Sequence, residues 1–579
     1  MTNAHLADTF DLIADLLEFQ GANAFRVRAY RNAARTIRDL PESIAAIVED
    51  PERALTDIAG IGDDLAEKCQ TLIETGELPM LAQLKQEVPE SVLALMRIPG
   101  LGPKKAAVLH RELAINSLDE LRAACESHRV RELKGFGAKT EETILAGMAL
   151  AAAADQRILW CEADVIVQAV LAHMQGGAHL REFTPAGSYR RGRETVGDLD
   201  FLAVSDDADA VMDRFVAFPD VAEVIARGDT KLSLRLRDGF QMDLRVVAPE
   251  SYGAALVYFT GSKQHNVELR GLAKDHGLKI NEYGVYRVQG DDETYVAGAS
   301  EKDVYAALAL PVFEPEIRES RREFQWAAQG PLPQLVRLED MQGDLHMHTT
   351  ATDGKATLRE MADAAIARGL KYIAVTDHSQ RVSMANGLNA ARLLAQWQEI
   401  DELNEALAGR LLVLKGIECD ILEKGGMDLP DDVLAQADWV IGSVHYGQKQ
   451  PAAQITARIV EAIENPHVDM IAHPTGRLLN RREPYEVDLE AVFAAAKQHR
   501  KLLELNANPL RLDLNDVHCA AAQRHGVPIV INTDAHSTSG LDVMRYGILQ
   551  ARRGGLTKAD VANTRSWLEL QKLLGPPKS

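Results

Sequence analysis

The spacing of apolar positions changes several times along this chain, and those changes divide it. Residues 1–50 repeat at the helical spacing of three and four, with a basic run Arg26-Val27-Arg28-Ala29-Tyr30-Arg31 inside. Three glycine punctuations follow, each flanked by helical sequence: Ile58-Ala59-Gly60-Ile61-Gly62, Ile98-Pro99-Gly100-Leu101-Gly102 and Leu133-Lys134-Gly135-Phe136-Gly137. Residues 141–175 read as an alanine-rich helix. The period then drops to two. Leu232, Leu234 and Leu236 alternate up to Asp238-Gly239, a hairpin signal, and Met242, Leu244 and Val246 alternate on the return. Between 311 and 340 no period is sustained, and Pro311, Pro315, Pro331 and Pro333 stand among clustered charges, which predicts a linker.

From 341 onward, short apolar runs alternate with helical sequence, the pattern of a parallel sheet. Nearly every run ends in a residue able to ligate metal: Asp344-Leu345-His346-Met347-His348, Tyr372 to Asp377-His378, Val413 to Glu418, Trp439 to His445, Asp469 to His473 and Pro528 to Asp534-Ala535-His536. Leu502-Leu503-Glu504-Leu505-Asn506 brings the strands to seven. When such a sheet closes into a barrel its C-terminal strand ends converge. One strand-end histidine is an ordinary structural residue; this many in register point to a metal site.

Composition narrows the picture. The length of 579 residues suits three or four domains. A net charge of −21, from 64 Lys+Arg against 85 Asp+Glu, argues against a generally basic nucleic-acid coat. Residues 91–140 reverse that balance, nine basic against five acidic. The five cysteines are scattered without a C-x-x-C, which fits free thiols in a reducing compartment. No apolar leader or membrane-length run is present, so a cytoplasmic protein that does not enter membranes is expected.

The repeated apolar-x-Gly-apolar-Gly form lets the backbone turn sharply and present N–H groups before a helix. With Lys104, Lys105 and Lys139 following the second and third copies, it resembles the helix-hairpin-helix module, which grips a DNA phosphate without reading sequence. That resemblance makes Gly60, Gly62, Gly100, Gly102, Lys104, Lys105, Gly135 and Gly137 the expected DNA contacts, with Na⁺ or K⁺ at the hairpins.

Gly187-Ser188-Tyr189-Arg190-Arg191-Gly192-Arg193-Glu194-Thr195-Val196-Gly197-Asp198-Leu199-Asp200 carries the other chemistry. On a strand Asp198 and Asp200 share a face, and two adjacent carboxylates repel unless a cation lies between them. Asp243, on the strand after Asp238-Gly239, supplies a third carboxylate, the layout for two-metal phosphoryl transfer. The ordered set G-S-x-R-R-G, G-D-x-D, Asp243 and Tyr258-Phe259-Thr260-Gly261-Ser262 resembles DNA polymerase family X, the polymerase beta-like enzymes. By that resemblance Asp198, Asp200 and Asp243 hold two Mg²⁺ or Mn²⁺. Gly187, Ser188, Arg191, Gly197, Tyr258, Phe259, Gly261, Asn266 and Arg270 bind the incoming nucleotide. Gln241 departs from the arginine that animal members carry two residues before the third Asp. Lys68 matches the family's Schiff-base lysine of a 5′-deoxyribose-phosphate lyase, with Tyr30 its partner. Asp64, however, replaces a second family lysine, and a surface lysine beside Glu67 is an equal reading.

The second half resembles the polymerase-and-histidinol-phosphatase (PHP) domain, a distorted seven-stranded barrel holding up to three metals, here Mn²⁺ or Zn²⁺. The resemblance places His346, His348, Glu418 and Asp534 on a first ion. It places Glu418, His445 and His473 on a second, and Asp353, His378 and His536 on a third. The expected architecture is multidomain: a helical lyase-like domain with a hairpin (1–90), a helix-hairpin-helix domain (91–150) and an α+β nucleotidyltransferase palm (151–249). A nucleotide-selecting subdomain (250–318), a linker (319–340) and the (β/α)₇ PHP barrel (341–575) complete it. The expected function is gap-filling DNA repair synthesis from dNTPs on gapped or nicked DNA. A Mn²⁺-dependent 3′–5′ exonuclease, extending to abasic-site or 3′-phosphate removal, accompanies it in a monomer that meets other repair proteins. Rival readings are a template-independent nucleotidyltransferase, a non-catalytic repair scaffold and, for the PHP half alone, a small-molecule phosphatase.

Overall fold

The computed structural model describes residues 3–40, 44–49, 53–58, 60–88, 95, 101, 103–141, 144–145, 157–177, 179–290 and 292–574. It forms two compact units, Met1–Gln156 with Asp238–Phe240, and Arg157–Arg237 with Gln241–Ser579.

The first unit is helical. Asn3–Phe19 and Ala24–Asp39 pair through Phe10, Ile13, Tyr30 and Ile37, all essentially buried. Asn23 ends the turn between them by accepting from the Phe25 N–H at 2.9 Å, which satisfies one of the helix's orphan donors. Shorter helices (Asp63–Thr75, Pro79–Glu87, Pro103–Leu113 and Leu118–Glu126) add Leu65, Cys69, Leu109 and Leu121 to the same core.

The second unit opens with a five-stranded sheet in the order Leu180–Pro185, Leu199–Ser205, Gln241–Val247, Lys231–Leu236, Val221–Arg227. In Gln241–Val247 every second residue is buried, from Met242 to Val246, so Asp243 and Arg245 face the other way. The hairpin at Asp238-Gly239 is wider than a two-residue turn: the last pair is Arg235 with Gln241, and the Asp238 side chain accepts from the Phe240 N–H at 2.9 Å. Helices Tyr252–Thr260 and Lys263–Asp275 follow, with a small sheet of Leu278–Asn281, Gly284–Gln289 and Asp292–Ala297.

Within the stretch expected as a linker, 319–340, a helix runs Glu323–Gln329. Glu323 is 1% exposed, accepts from the N–H groups of Ser320, Arg321 and Arg322, and lies 2.9 Å from His265 Nδ1. Its charges are consumed by tertiary partners rather than by water.

Seven parallel strands then run in sequence order: Gly343–Asp344, Tyr372–Val375, Leu412–Asp420, Trp439–Ser443, Met470–Ile471, Leu502–Asn506 and Ile529–Asn532. A bridge from Met347 to Ala535 brings the two edges together, so the barrel is nearly closed. Alternation sorts its apolar residues. Tyr372, Ala374, Trp439 and Ile441 join one core, and Ile373, Val375 and Val440 join the other with the surrounding helices.

Candidate metal centres

On the open sheet, Asp200 stands opposite Asp243 in the parallel register of Leu199–Ser205 with Gln241–Val247, and Asp198 precedes the first strand by one residue. Carboxylate oxygens of the three lie within 4.8 Å of one another. Leu199, Phe201, Met242 and Leu244 are buried on the opposite face, which turns the acids toward one spot. Ser233 Oγ donates to Asp243 Oδ1, and Gln241 Nε2 donates to Oδ2 at 2.9 Å. The glutamine that departs from the family's arginine therefore still orients that carboxylate. Burial, then Asp198 and Asp243, push Asp200 up to about 7, and Arg191 and Arg245 offset only part of this. Burial and Asp243 raise Asp198 as well.

The Gly187-Ser188 stretch forms a one-turn helix, Gly187–Arg190, whose first residue lies against Asp200. Gly187 has φ +60, and a Cβ there would collide with Asp200 Oδ2, so only glycine fits. Arg190 pairs with Glu301 at 2.7 Å. Arg191 is buried, donates from Nη1 to the Thr260 carbonyl and pairs through Nε with Glu319 at 3.0 Å. The structure thus gives Arg191 two protein partners that its place in the motif did not suggest. Gly197 lies against Arg157, whose Nη1 would be 3.0 Å from an added Cβ. Gly261, at φ +69, sits beside Arg191 Nη1. Asn266 Nδ2 donates to the Tyr258 carbonyl at 2.7 Å and Arg270 Nε to the Asn266 carbonyl at 3.1 Å. These residues line a cleft with Asn281, and the Phe259 ring lies under Arg245 at 5.0 Å.

In the helical unit, two of the three glycine punctuations are described and have one geometry. Gly60 and Gly135 take φ +94 and +91, Ile61 and Phe136 are buried, and Gly62 and Gly137 accept the first helical hydrogen bonds. Gly100, Gly102 and the Lys104 side chain lie outside the described residues. Lys105 Nζ stands 5.8 Å over the Phe136 ring, which joins the second punctuation to the third. Lys68 Nζ is engaged by the carboxylate of Asp64 and, at 3.2 Å, by its carbonyl, and Tyr30 Oη donates to Met80 Sδ at 3.3 Å.

At the C-terminal mouth of the barrel all nine expected ligands converge. Glu418, 1% exposed, is the centre. Its Oε2 lies 3.4 Å from His346 Nε2, 3.6 Å from His348 Nε2 and 2.9 Å from His378 Nδ1. Its Oε1 lies 3.1 Å from His473 Nε2 and 3.5 Å from His445 Nε2. Ligand atoms of eight of the nine fall into three groups, each within 4.8 Å: His346, His348 and Asp534; His378, Glu418 and His445; and His348, Asp353, His378 and His536. His473 lies outside these groups, against Glu418. His348 and His378 each belong to two groups, a sharing that differs from the partition expected from the sequence. Burial alone would raise Glu418, but His346, His378 and His445 hold it well below the carboxylate range. Against burial, Glu418 and Asp353 push His378 up to about 10.

The donor set fits divalent cations. His346 Nε2, His348 Nδ1, His378 Nδ1 and Glu418 Oε2 are buried without a hydrogen-bond partner, a costly arrangement unless an ion occupies the space between them. Outer partners orient the rings. Glu504 Oε1 lies 2.7 Å from His346 Nδ1, and Asp420 Oδ1 lies 3.0 Å from His445 Nδ1. Neither was assigned a role from the sequence. A carboxylate inside the fully buried strand Leu502–Asn506 was the available signal for Glu504.

Comparison with known proteins decides the family. The chain is 41% identical over 567 residues to the DNA polymerase/3′-5′ exonuclease PolX of Bacillus subtilis, covering 97% of this chain and 98% of that one. The chain belongs to DNA polymerase family X. Domain families agree locally: the DNA polymerase beta thumb matches residues 255–319 and the PHP domain 344–508. A helix-hairpin-helix domain matches 1–78, and a SAM-like helix-hairpin-helix tandem matches 92–149. DNA polymerase lambda of Rattus norvegicus is 26% identical over 55% of this chain and 56% of its own. A probable phosphatase of Thermoanaerobacter is 31% identical over 232 residues, 38% of this chain and 89% of its own. Family membership and the two acidic centres together imply use of divalent metal.

Proposed function

We propose that this chain is a DNA-directed DNA polymerase that fills short gaps from dNTPs, and that its barrel is a 3′–5′ exonuclease acting on the same class of DNA. The observation that carries the first half is the register of Asp200 with Asp243, which gathers three carboxylates under a glycine turn. Asp198, Asp200 and Asp243 would hold two divalent ions. Bound there, the ions supply neutralisation of the phosphate charge and an acidified primer hydroxyl. The chain's own part is positioning. The Gly187–Arg190 turn lies against Asp200, and Ser233 and Gln241 fix Asp243. Tyr258, Asn266 and Arg270, neighbours along one cleft, are the side chains assigned to the sugar and base of the nucleotide.

In the barrel, the nine ligands would hold up to three ions, Mn²⁺ or Zn²⁺ by the mixture of imidazole and carboxylate. Glu504 and Asp420 keep His346 and His445 turned toward the centre. The glycine hairpins at Gly60 and Gly135 support sequence-independent backbone binding of DNA. No described helix is long and apolar enough to cross a membrane, and the five cysteines are free.

A labelled primer on a gapped template, with dNTPs and Mn²⁺ or Mg²⁺, tests both halves in one lane. Extension dependent on template and on Asp200, with shortening dependent on Glu418, is the expected result. Extension without template would favour the template-independent nucleotidyltransferase.

A further inference from the structure

The loop Arg191–Glu194 that follows the one-turn helix is held from outside the palm. Its carbonyls are taken by the helix Met544–Arg553 of the barrel half: Arg553 Nη1 donates to the Arg191 carbonyl at 2.7 Å and Gln550 Nε2 to the Gly192 carbonyl at 3.0 Å. Glu194 is gripped by Arg477 in a two-pronged pair at 2.7 and 3.2 Å. Gly192, at φ +65, lies so close to Leu549 that an added Cβ would stand 3.3 Å from its Cδ2. The motif's side chain is tied to the same helix. Glu319 Oε1 accepts from Arg191 Nε at 3.0 Å and from Arg553 Nη1 at 2.9 Å. Arg553 also donates to Asp516 at 2.8 Å. Burial would raise Glu319, yet Arg553 and Arg191 bring it down to about 2, so the shared carboxylate stays ionised.

We infer that Arg553, a barrel-side residue outside both metal centres, is a positioning residue for nucleotide binding, holding Arg191 and its loop in the shape that receives the triphosphate. Through Arg191 Nη1 and the Thr260 carbonyl, the same network reaches the segment that ends at Gly261. The barrel half is therefore a structural support of the polymerase site as well as a second enzyme. This rests on reading Gly187–Glu194 as the triphosphate loop. A loop already ordered before binding does not lose that freedom when the nucleotide arrives, so its support acts on affinity first.

The test uses the full-length chain with dNTP titrations on a gapped primer–template, alongside direct binding of a non-hydrolysable dNTP. Arg553→Met should raise KM for dNTP, and weaken direct binding, by about tenfold with kcat within about twofold, the signature of lost uniform binding. Arg553→Lys should recover part of that loss, and primer shortening should be unchanged. If Arg553→Met fails to fold, Gln550→Leu removes only the Gly192 contact and should raise KM by about threefold. Arg191→Ala separates the two levels. A raised KM in Arg191→Ala with no change in Arg553→Met or Gln550→Leu overturns the inference and leaves the loop reading standing. No change in Arg191→Ala rejects the loop reading, and the inference falls with it.

Discussion

The two acidic centres of the second unit stand in opposite electrostatic conditions. In the palm, three carboxylates meet, and burial together with their mutual repulsion pushes Asp200 up to about 7, offset only in part by Arg191 and Arg245. In the barrel, carboxylates are interleaved with imidazoles. Glu418 and Asp534 are held well below their usual range, while His346 and His378 are raised. Without metal, the barrel's carboxylates favour protons on His346 and His378, whereas burial and repulsion in the palm favour a proton on Asp200 itself. A metal ion must displace a proton in both places, but from different groups and over different pH ranges. The contrast follows from architecture. Two strands of an open sheet offer three side chains to one spot, whereas a closed barrel gathers the ends of many strands.

The sharpest way to break this comparison is to remove one acid from each centre. Asp200→Ala should lower extension by roughly 10³-fold or more, about 4 kcal/mol of transition-state stabilisation, with shortening untouched. Extension at a near-normal rate would remove Asp200 from the polymerase centre.

Glu418→Ala should act in the reverse sense. Because Glu418 lies within 3.6 Å of five imidazoles, its loss would disturb ligands in all three groups, and shortening should fall by about 10²–10³-fold. Extension should remain. Loss of both activities in a variant that keeps its fold would mean that the centres are not separable.

Much of this was legible in the sequence, for a physical reason. Asp198 and Asp200 are two apart where a strand begins, and the barrel ligands sit at the ends of apolar runs, so local periodicity carries them. What periodicity does not carry is pairing at a distance. Glu319 and Glu323 looked like linker charges, yet each is paired elsewhere in the fold: Arg553 for one and His265 for the other. Arg191 read as a phosphate contact, and the structure adds Glu319 and the Thr260 carbonyl as its partners. Glu504 was visible only as a charge in an apolar strand.

A smaller effect sharpens the role of that outer layer. Glu504 serves four groups at once: the His346 ring, the His473 N–H at 2.8 Å, and the side-chain amides of Asn506 and Asn532. Glu504→Gln keeps the shape but changes what His346 Nδ1 faces. Metal affinity of the barrel should drop by about 10–100-fold, with the loss of shortening rescued at high Mn²⁺. Absence of rescue would assign Glu504 to the fold rather than to ligand orientation.

The subtlest consequence is the pH dependence of metal binding, and here the two centres part most cleanly. Asp200 is raised, so the metal-free folded palm keeps a proton that the unfolded chain releases in the ordinary carboxylate range. Its contribution to stability is present at low pH and is lost as pH rises toward about 7. Metal affinity rises over the same window, by at most about tenfold per pH unit for one proton, and levels off above it. His378 is also raised, so its contribution is complete below the usual histidine range and is lost as pH climbs toward about 10. Barrel affinity should therefore keep rising where palm affinity is already flat. Mn²⁺ titrations from about pH 6 to 9.5, on Asp200→Asn for the barrel and Glu418→Gln for the palm, read the two curves separately. A barrel curve that flattens near pH 7 would show that the imidazoles around Glu418 are neutral before metal arrives, and the contrast between the centres would lose its basis.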